Sequence, residues 1–225
     1  MNSGAVHGKL LWVLLTLTLT CAAPAAFAET LKLPSGYTDA VADLENVTPE
    51  RRAAAIVWLA THAGESAQPL MVKRLRDENE VVRAVAEQGL WRLWSRSGDA
   101  AIDKVLAAGT EHLQEARFKE AIAAFSDVIL LKPAFAEGWN KRATAHYLAG
   151  DFQRSLADCD EVLKRNPQHF GALSGYGQIH FQLGEYDKAL HYWRRALEVN
   201  PNMPGVEANI QGLEILLKEK KGRTI

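Results

Sequence analysis

The chain has 225 residues, 48% hydrophobic and 24% charged, with 16 Gly, 8 Pro and 2 Cys. This is the composition of a globular protein and excludes a disordered, collagen-like or disulfide-scaffolded chain. The 26 Lys and Arg against 27 Asp and Glu leave a formal charge of −1, which speaks against a basic face that grips a phosphate backbone, so no nucleic-acid partner is expected.

Residues 1–28 read as a secretory signal peptide. Lys9 precedes an apolar run from Leu10 to Leu19, and Ala26-Phe27-Ala28 supplies a small-residue cleavage site before Glu29. The run is short for a membrane span of about 20 residues, so no stable insertion is expected after cleavage. The mature chain would keep 25 basic against 27 acidic side chains, a charge of −2. Its single cysteine, Cys159, suits an oxidising compartment only if buried or deliberately reactive. A bacterial periplasm is the expected location.

Residues 29–47 contain Pro34-Ser35-Gly36 and no long helical period, which predicts an extended arm. Thr48-Pro49 then opens a helix as N-cap and first-turn proline, with Trp58 and Leu59 on its apolar face. Further helices are expected over residues 68–75 and, after Asp77-Glu78-Asn79, over 81–94.

From residue 102 the chain repeats. Pro133, Pro167 and Pro201 are 34 residues apart, which defines blocks 102–135, 136–169 and 170–203. Position 8 of each block is small (Gly109, Ala143, Gly177), as is position 20 (Ala121, Ser155, Ala189). Position 17 is aromatic (Phe118, Phe152, Tyr186), and position 15 reads Ala116, Gly150, Gly184. Small and large residues alternating in step suit two helices that cross closely and lock with an aromatic. Helices A are expected over 101–115, 136–148 and 171–183, and helices B over 119–131, 153–165 and 186–199, each B helix stopping before its proline. Residues 204–221 form one more helix, with Val206, Ile210, Leu213 and Leu217 at helical spacing and basic residues complementing its C-terminus.

This pattern over residues 102–203 resembles the tetratricopeptide repeat. The middle block carries it best, with Trp139, Ala143, Gly150-Asp151-Phe152 and Asn166-Pro167. The stretch Leu75 to Leu90, with Asp77 at the turn and Arg83 after Val81-Val82, is similar to a HEAT-type repeat. A single such unit needs a neighbour, so it is expected to stack on the first helix of the 34-residue array. The resulting fold class is all-α: a right-handed helical-hairpin solenoid with a HEAT-like segment (48–98), three tetratricopeptide repeats (99–203) and a C-terminal cap (204–225).

Catalytic patterns are missing from the sequence. It has no His-Glu-x-x-His, phosphate-loop, Cys-x-x-Cys or nucleophile-elbow motif, and Gly175-Tyr176-Gly177 follows no strand. His112, His146 and His180 share position 11 of the three blocks. Equivalent positions on neighbouring helices lie about 8–10 Å apart or more, whereas ligands of one metal approach it to about 2 Å. These histidines are read as core residues, and no metal or cofactor is expected. Cys159, at position 24 beside Phe125 and Trp193 of the other blocks, is read the same way.

The repeat resemblance implies that helices A line a concave groove through positions 2, 5, 9 and 12. The middle and last repeats place Asn140, Thr144, Tyr147, Ser174, Gln178 and Phe181 there, after Glu137 and Gly171, with Lys141 beside them. Amides can pair with an extended backbone and the two aromatics can accept apolar side chains. In relatives that clamp acidic chaperone tails, Lys, Arg and Asn occupy positions filled here by Leu106, Thr110, Lys141, Gly171 and Gly175, and none matches. The sequence therefore describes a non-catalytic exported adaptor or assembly factor that binds an extended segment of a partner protein. The alternative is a self-associating structural subunit using convex faces or ends, including Trp91 and Trp94. An enzyme, with His62 and His112 as candidates, has no motif in its favour.

Overall fold

The structure, a computed structural model, describes residues 33–222. The signal-peptide reading falls outside the described residues. Those residues form eleven α-helices and one 3₁₀ turn, with no strand among them. The first four helices are α1 (Tyr37–Asp43), α2 (Pro49–His62), α3 (Gln68–Arg74) and α4 (Glu80–Trp94). The repeats supply α5 (Ala100–Gln114), α6 (Phe118–Leu131), α7 (Ala136–Leu148), α8 (Phe152–Arg165), α9 (Phe170–Gln182) and α10 (Tyr186–Val199), and α11 is Pro204–Gly222.

Three antiparallel hairpins, α5–α6, α7–α8 and α9–α10, stack in sequence, and α11 packs on α10. The small residues at position 8 make the hairpins close. A Cβ added to Gly109 would lie 2.6 Å from Phe125, and one added to Gly177 would lie 2.3 Å from Trp193. In the middle repeat the large partner shrinks to Cys159, and Ala143 shares its cluster without conflict. Position 15 closes each A–B turn in the left-handed region, with φ of 57° at Ala116, 80° at Gly150 and 74° at Gly184. At position 31, Asn166 and Asn200 use their side-chain oxygens to accept the N–H of Gln168 and Asn202, tightening the turn around the proline.

The N-terminal part departs from expectation in three ways. Residues 37–43 of the arm are helix α1, and Pro34 and Leu44 are buried, so the arm is packed and only partly extended. Thr48 occupies the N-cap of α2, but its hydroxyl donates to Asn46 and caps nothing. Asn79 does cap α4, accepting from the N–H of Val81 and Val82.

The third departure concerns stacking. Helices α2 and α4 pack as a pair, held by buried Arg52, which donates both arms of its guanidinium to Asp77 at 2.8 and 2.7 Å. This pair does not stack on α5. It docks on the turns ahead of α9 and α11, where Phe170, Val199 and Met203 join its hydrophobic cluster. Asn202 is central to the junction, donating to the Leu75 carbonyl at 2.7 Å and accepting from Arg83 Nε at 3.1 Å. Arg76 donates to the Val199 carbonyl, and Gln68 to Asn166 at 2.8 Å. The apolar edge of this segment is made by Trp91 and Trp94, which pack on Phe170.

Candidate functional site: the helix-A face and its junction with the N-terminal segment

The groove residues expected from the sequence lie on α7 and α9. Thr144 is half-buried, its hydroxyl returned to the Asn140 carbonyl. Ser174 is half-buried, and its carbonyl accepts from the Trp193 indole. Tyr147 packs on Phe152, and Phe181 on Tyr186 and Trp193, each leaving part of its ring at the surface. Gln178 is different: at 5% exposure it belongs to the interior.

Asn140 and Lys141 turn toward Glu137 in the first turn of α7. The Asn140 amide donates to Glu137 Oε2 at 3.0 Å, and the Lys141 ammonium stands 3.6 Å from Oε1. Glu137, expected to face the groove, is buried together with His169. His169 Nδ1 accepts the Ala172 N–H at the start of α9, so its proton sits on Nε2 and is donated to Glu137 at 3.1 Å. Burial alone would raise the Glu137 carboxyl. The His169 bond, the Lys141 charge and the Asn140 amide outweigh it and hold the group below the ordinary carboxylate range.

The far side of His169 belongs to the N-terminal segment. Trp94 stacks on its ring at 4.3 Å, and Trp91 meets Phe170 edge-on at 5.2 Å. Trp91 also covers Gly171, where an added Cβ would lie 2.3 Å from the indole. Of the two tryptophans considered as exposed docking groups, Trp94 is buried with 8% exposure, and Trp91 is half-buried against Phe170. They cover the helix-A face at the first turn of α9. No periodicity within the repeats could reveal this, because the covering residues lie some eighty positions away.

The three position-11 histidines keep separate company. His146 lies 3.9 Å from Asp158, His180 donates from Nδ1 to the Glu185 carboxylate at 2.6 Å, and His112 is half-buried on α5. No group of three or more metal-ligating side chains occurs among the described residues. Burial pushes the Cys159 thiol up to about 12, with the charges of Asp158 and Asp160 adding to it, so it is an inert core residue. No helix among the described residues is long and apolar enough to cross a membrane.

Stacked helical hairpins with a 34-residue period, locked by a small residue against a large one, define a tetratricopeptide-repeat array. Residues 106–169 and 141–204 each match the tetratricopeptide repeat family model, so this part of the chain consists of tetratricopeptide repeats. A TPR repeat-containing protein of Rhizobium etli is 35% identical over 130 residues, covering 58% of this chain and 63% of that one. Hsp70-Hsp90 organizing protein 1 of Glycine max is 24% identical over 138 residues, 61% of this chain but 23% of the relative. The chain thus spans less than two thirds of the length of either relative.

Two solved structures are similar in fold. The Sgt2 TPR domain from Aspergillus fumigatus superposes with a TM-score of 0.52 at 18% identity, covering 55% of this chain and 83% of that one. The first TPR of Spaghetti (RPAP3), bound to the HSP90 peptide SRMEEVD, superposes with a TM-score of 0.50 at 20% identity, covering 52% and 93%.

Proposed function

We propose that this protein is a non-catalytic, exported adaptor or assembly factor that holds an extended segment of a partner protein against the helix-A face of its repeats. The observation that carries this reading is the run of half-buried Thr144, Tyr147, Ser174 and Phe181 along α7 and α9, polar groups beside ring edges on one surface. Thr144 and Ser174 offer hydroxyls to a peptide backbone, and the rings offer apolar contact to alternate side chains. Asn140 and Lys141 act at one remove, by keeping Glu137 ionised. The RPAP3 domain of similar fold, bound to an HSP90 peptide, supports the reading. Its acidic ligand is not carried over, because Gly171 stands at a position where clamping relatives carry Lys and is covered by Trp91. In this reading the HEAT-like segment serves as the wall that closes one end of the groove. In the same reading the signal-like residues 1–28 direct the mature chain to a bacterial periplasm.

Crosslinking and pull-down of the tagged mature protein in cells, beside a Thr144→Arg/Ser174→Arg double variant, tests the proposal. Both substitutions add bulk to the groove without removing a core side chain. A partner lost in the variant, with an unchanged circular-dichroism spectrum, supports groove recognition. A partner retained equally overturns it and turns attention to self-association.

A further inference from the structure

The junction between the N-terminal segment and the repeats encloses a cleft of about 540 Å³, within the range of roughly 300–1,000 Å³ usual for small-molecule sites. Its walls come from the C-terminal ends of α2, α4 and α8 and from the turn between α6 and α7. Leu93, Trp94 and Phe135, each at most 8% exposed, make the apolar side.

The charged lining is unbalanced. Arg96 donates to the carbonyls of Thr61 and Ala63, and Lys132 to the carbonyl of Ser97. Carbonyl dipoles at helix ends orient these cations but leave their full charges uncompensated, and among the described residues neither forms an ion pair with a carboxylate. Arg165, the third cation of the lining, is paired with Glu161 at 2.6 Å. Of the two acids, Glu137 is met by Lys141 and His169 from outside the cleft, and Glu65 stands exposed at the mouth.

Lys132 also breaks the repeat pattern. Position 31 is Asn in the other two repeats, where its side chain closes the turn through the N–H two residues on. A lysine cannot accept that bond, so the first repeat gives up a turn contact and places an ammonium group in the cleft.

We propose that this cleft binds a small molecule carrying an oxyanion, carboxylate or phosphate, on an apolar body. The headgroup lies between Arg96 and Lys132 and the body rests against Trp94 and Phe135. This site is separate from the helix-A face and stands whether or not a peptide binds there. Because its walls come from both segments, occupancy also strengthens their docking.

The test titrates the mature chain at low salt with benzoate, phenyl phosphate and uncharged benzyl alcohol, followed by calorimetry and ligand-observed NMR. Saturable binding of at least one aryl anion, absent for benzyl alcohol and weakened tenfold or more by Arg96→Met and by Lys132→Met, is the expected result, and the preferred anion names the headgroup. Glu65→Gln removes the acid at the mouth without touching a fold contact and is expected to tighten binding several-fold. It keeps the proposal testable if the methionine variants fail to fold. No saturable binding of either anion to the wild type or to Glu65→Gln overturns the proposal, as does equal binding of benzyl alcohol or an affinity unchanged in folded Arg96→Met and Lys132→Met.

Discussion

Gly177 and Trp193 form the tightest small-to-large contact of the repeat array: a Cβ built on Gly177 would lie 2.3 Å from Cδ1 and 2.5 Å from Nε1 of the indole. The indole is 1% exposed and donates to the Ser174 carbonyl, so it cannot swing away. Gly177→Ala is therefore expected to destabilise the protein by about 1–3 kcal/mol through overpacking, read as a lowered urea midpoint. The equivalent small position facing Cys159 is already alanine, and Ala143→Gly is expected to cost less, about 1 kcal/mol from helix propensity.

Ala116 holds φ at 57° where the other two repeats use glycine. The Cβ of an L-residue crowds the carbonyl in this region, and relief of that crowding outweighs the extra freedom glycine gains when unfolded. Ala116→Gly is expected to stabilise the first repeat by about 1 kcal/mol, seen as a higher melting temperature. An unchanged or lower melting temperature would mean the turn tolerates the alanine without strain.

Trp91 joins the two halves of the molecule by packing on Phe170 and sealing Gly171. Trp91→Ala leaves a cavity at this junction and is expected to cost about 3 kcal/mol. Amide exchange should report the loss selectively, with faster exchange in the first turn of α9 and in α4 while α5 and α6 stay protected. Uniform acceleration across the chain would show that the junction and the array unfold as one unit.

Asp77 and Arg52 set the acid limit of the N-terminal segment. Burial raises the Asp77 carboxyl, but the Arg52 fork, the Asn79 N–H and Arg74 together bring it below its ordinary value. A depressed folded pKa adds stability above the unfolded pKa, about 3.9 for Asp, and that contribution is lost as pH falls through the lower folded value. Asp77→Asn leaves the buried Arg52 with only the exposed Glu78 carboxylate, at 3.3 Å, at a cost of about 3 kcal/mol near neutral pH. The variant should lose less of its remaining stability than wild type between pH 5 and pH 2 (a window set by the carboxylate range), as followed by circular dichroism.

The repeat array was legible because each of its signals is local. Pro167, Gly150 and Phe152 act within a few residues of their neighbours, and the contact of position 8 with position 24 lies inside one hairpin. The helices α7, α10 and the start of α11 fall where the period places them, and the remaining helices of the array differ by a residue at their ends. Helix α1 was hidden because seven residues carry too short a period to distinguish from an arm.

The candidate site was legible only as a face. Position in the repeat assigns Thr144, Tyr147, Ser174 and Phe181 to one surface, but exposure depends on what else the chain lays upon it. Gln178 is buried, and Glu137 is covered and drawn into a bond with His169, a residue that reads by itself as part of a turn. Where the sequence by itself determined the outcome, as in the helices, their turns and their 34-residue stacking, the physics is short-range: backbone conformation, capping and one hairpin's packing. The tertiary structure alone decided that Trp91 and Trp94 pack over the first turn of α9 and that Arg96 and Lys132 line one cleft, because contacts between distant segments depend on how whole surfaces fit.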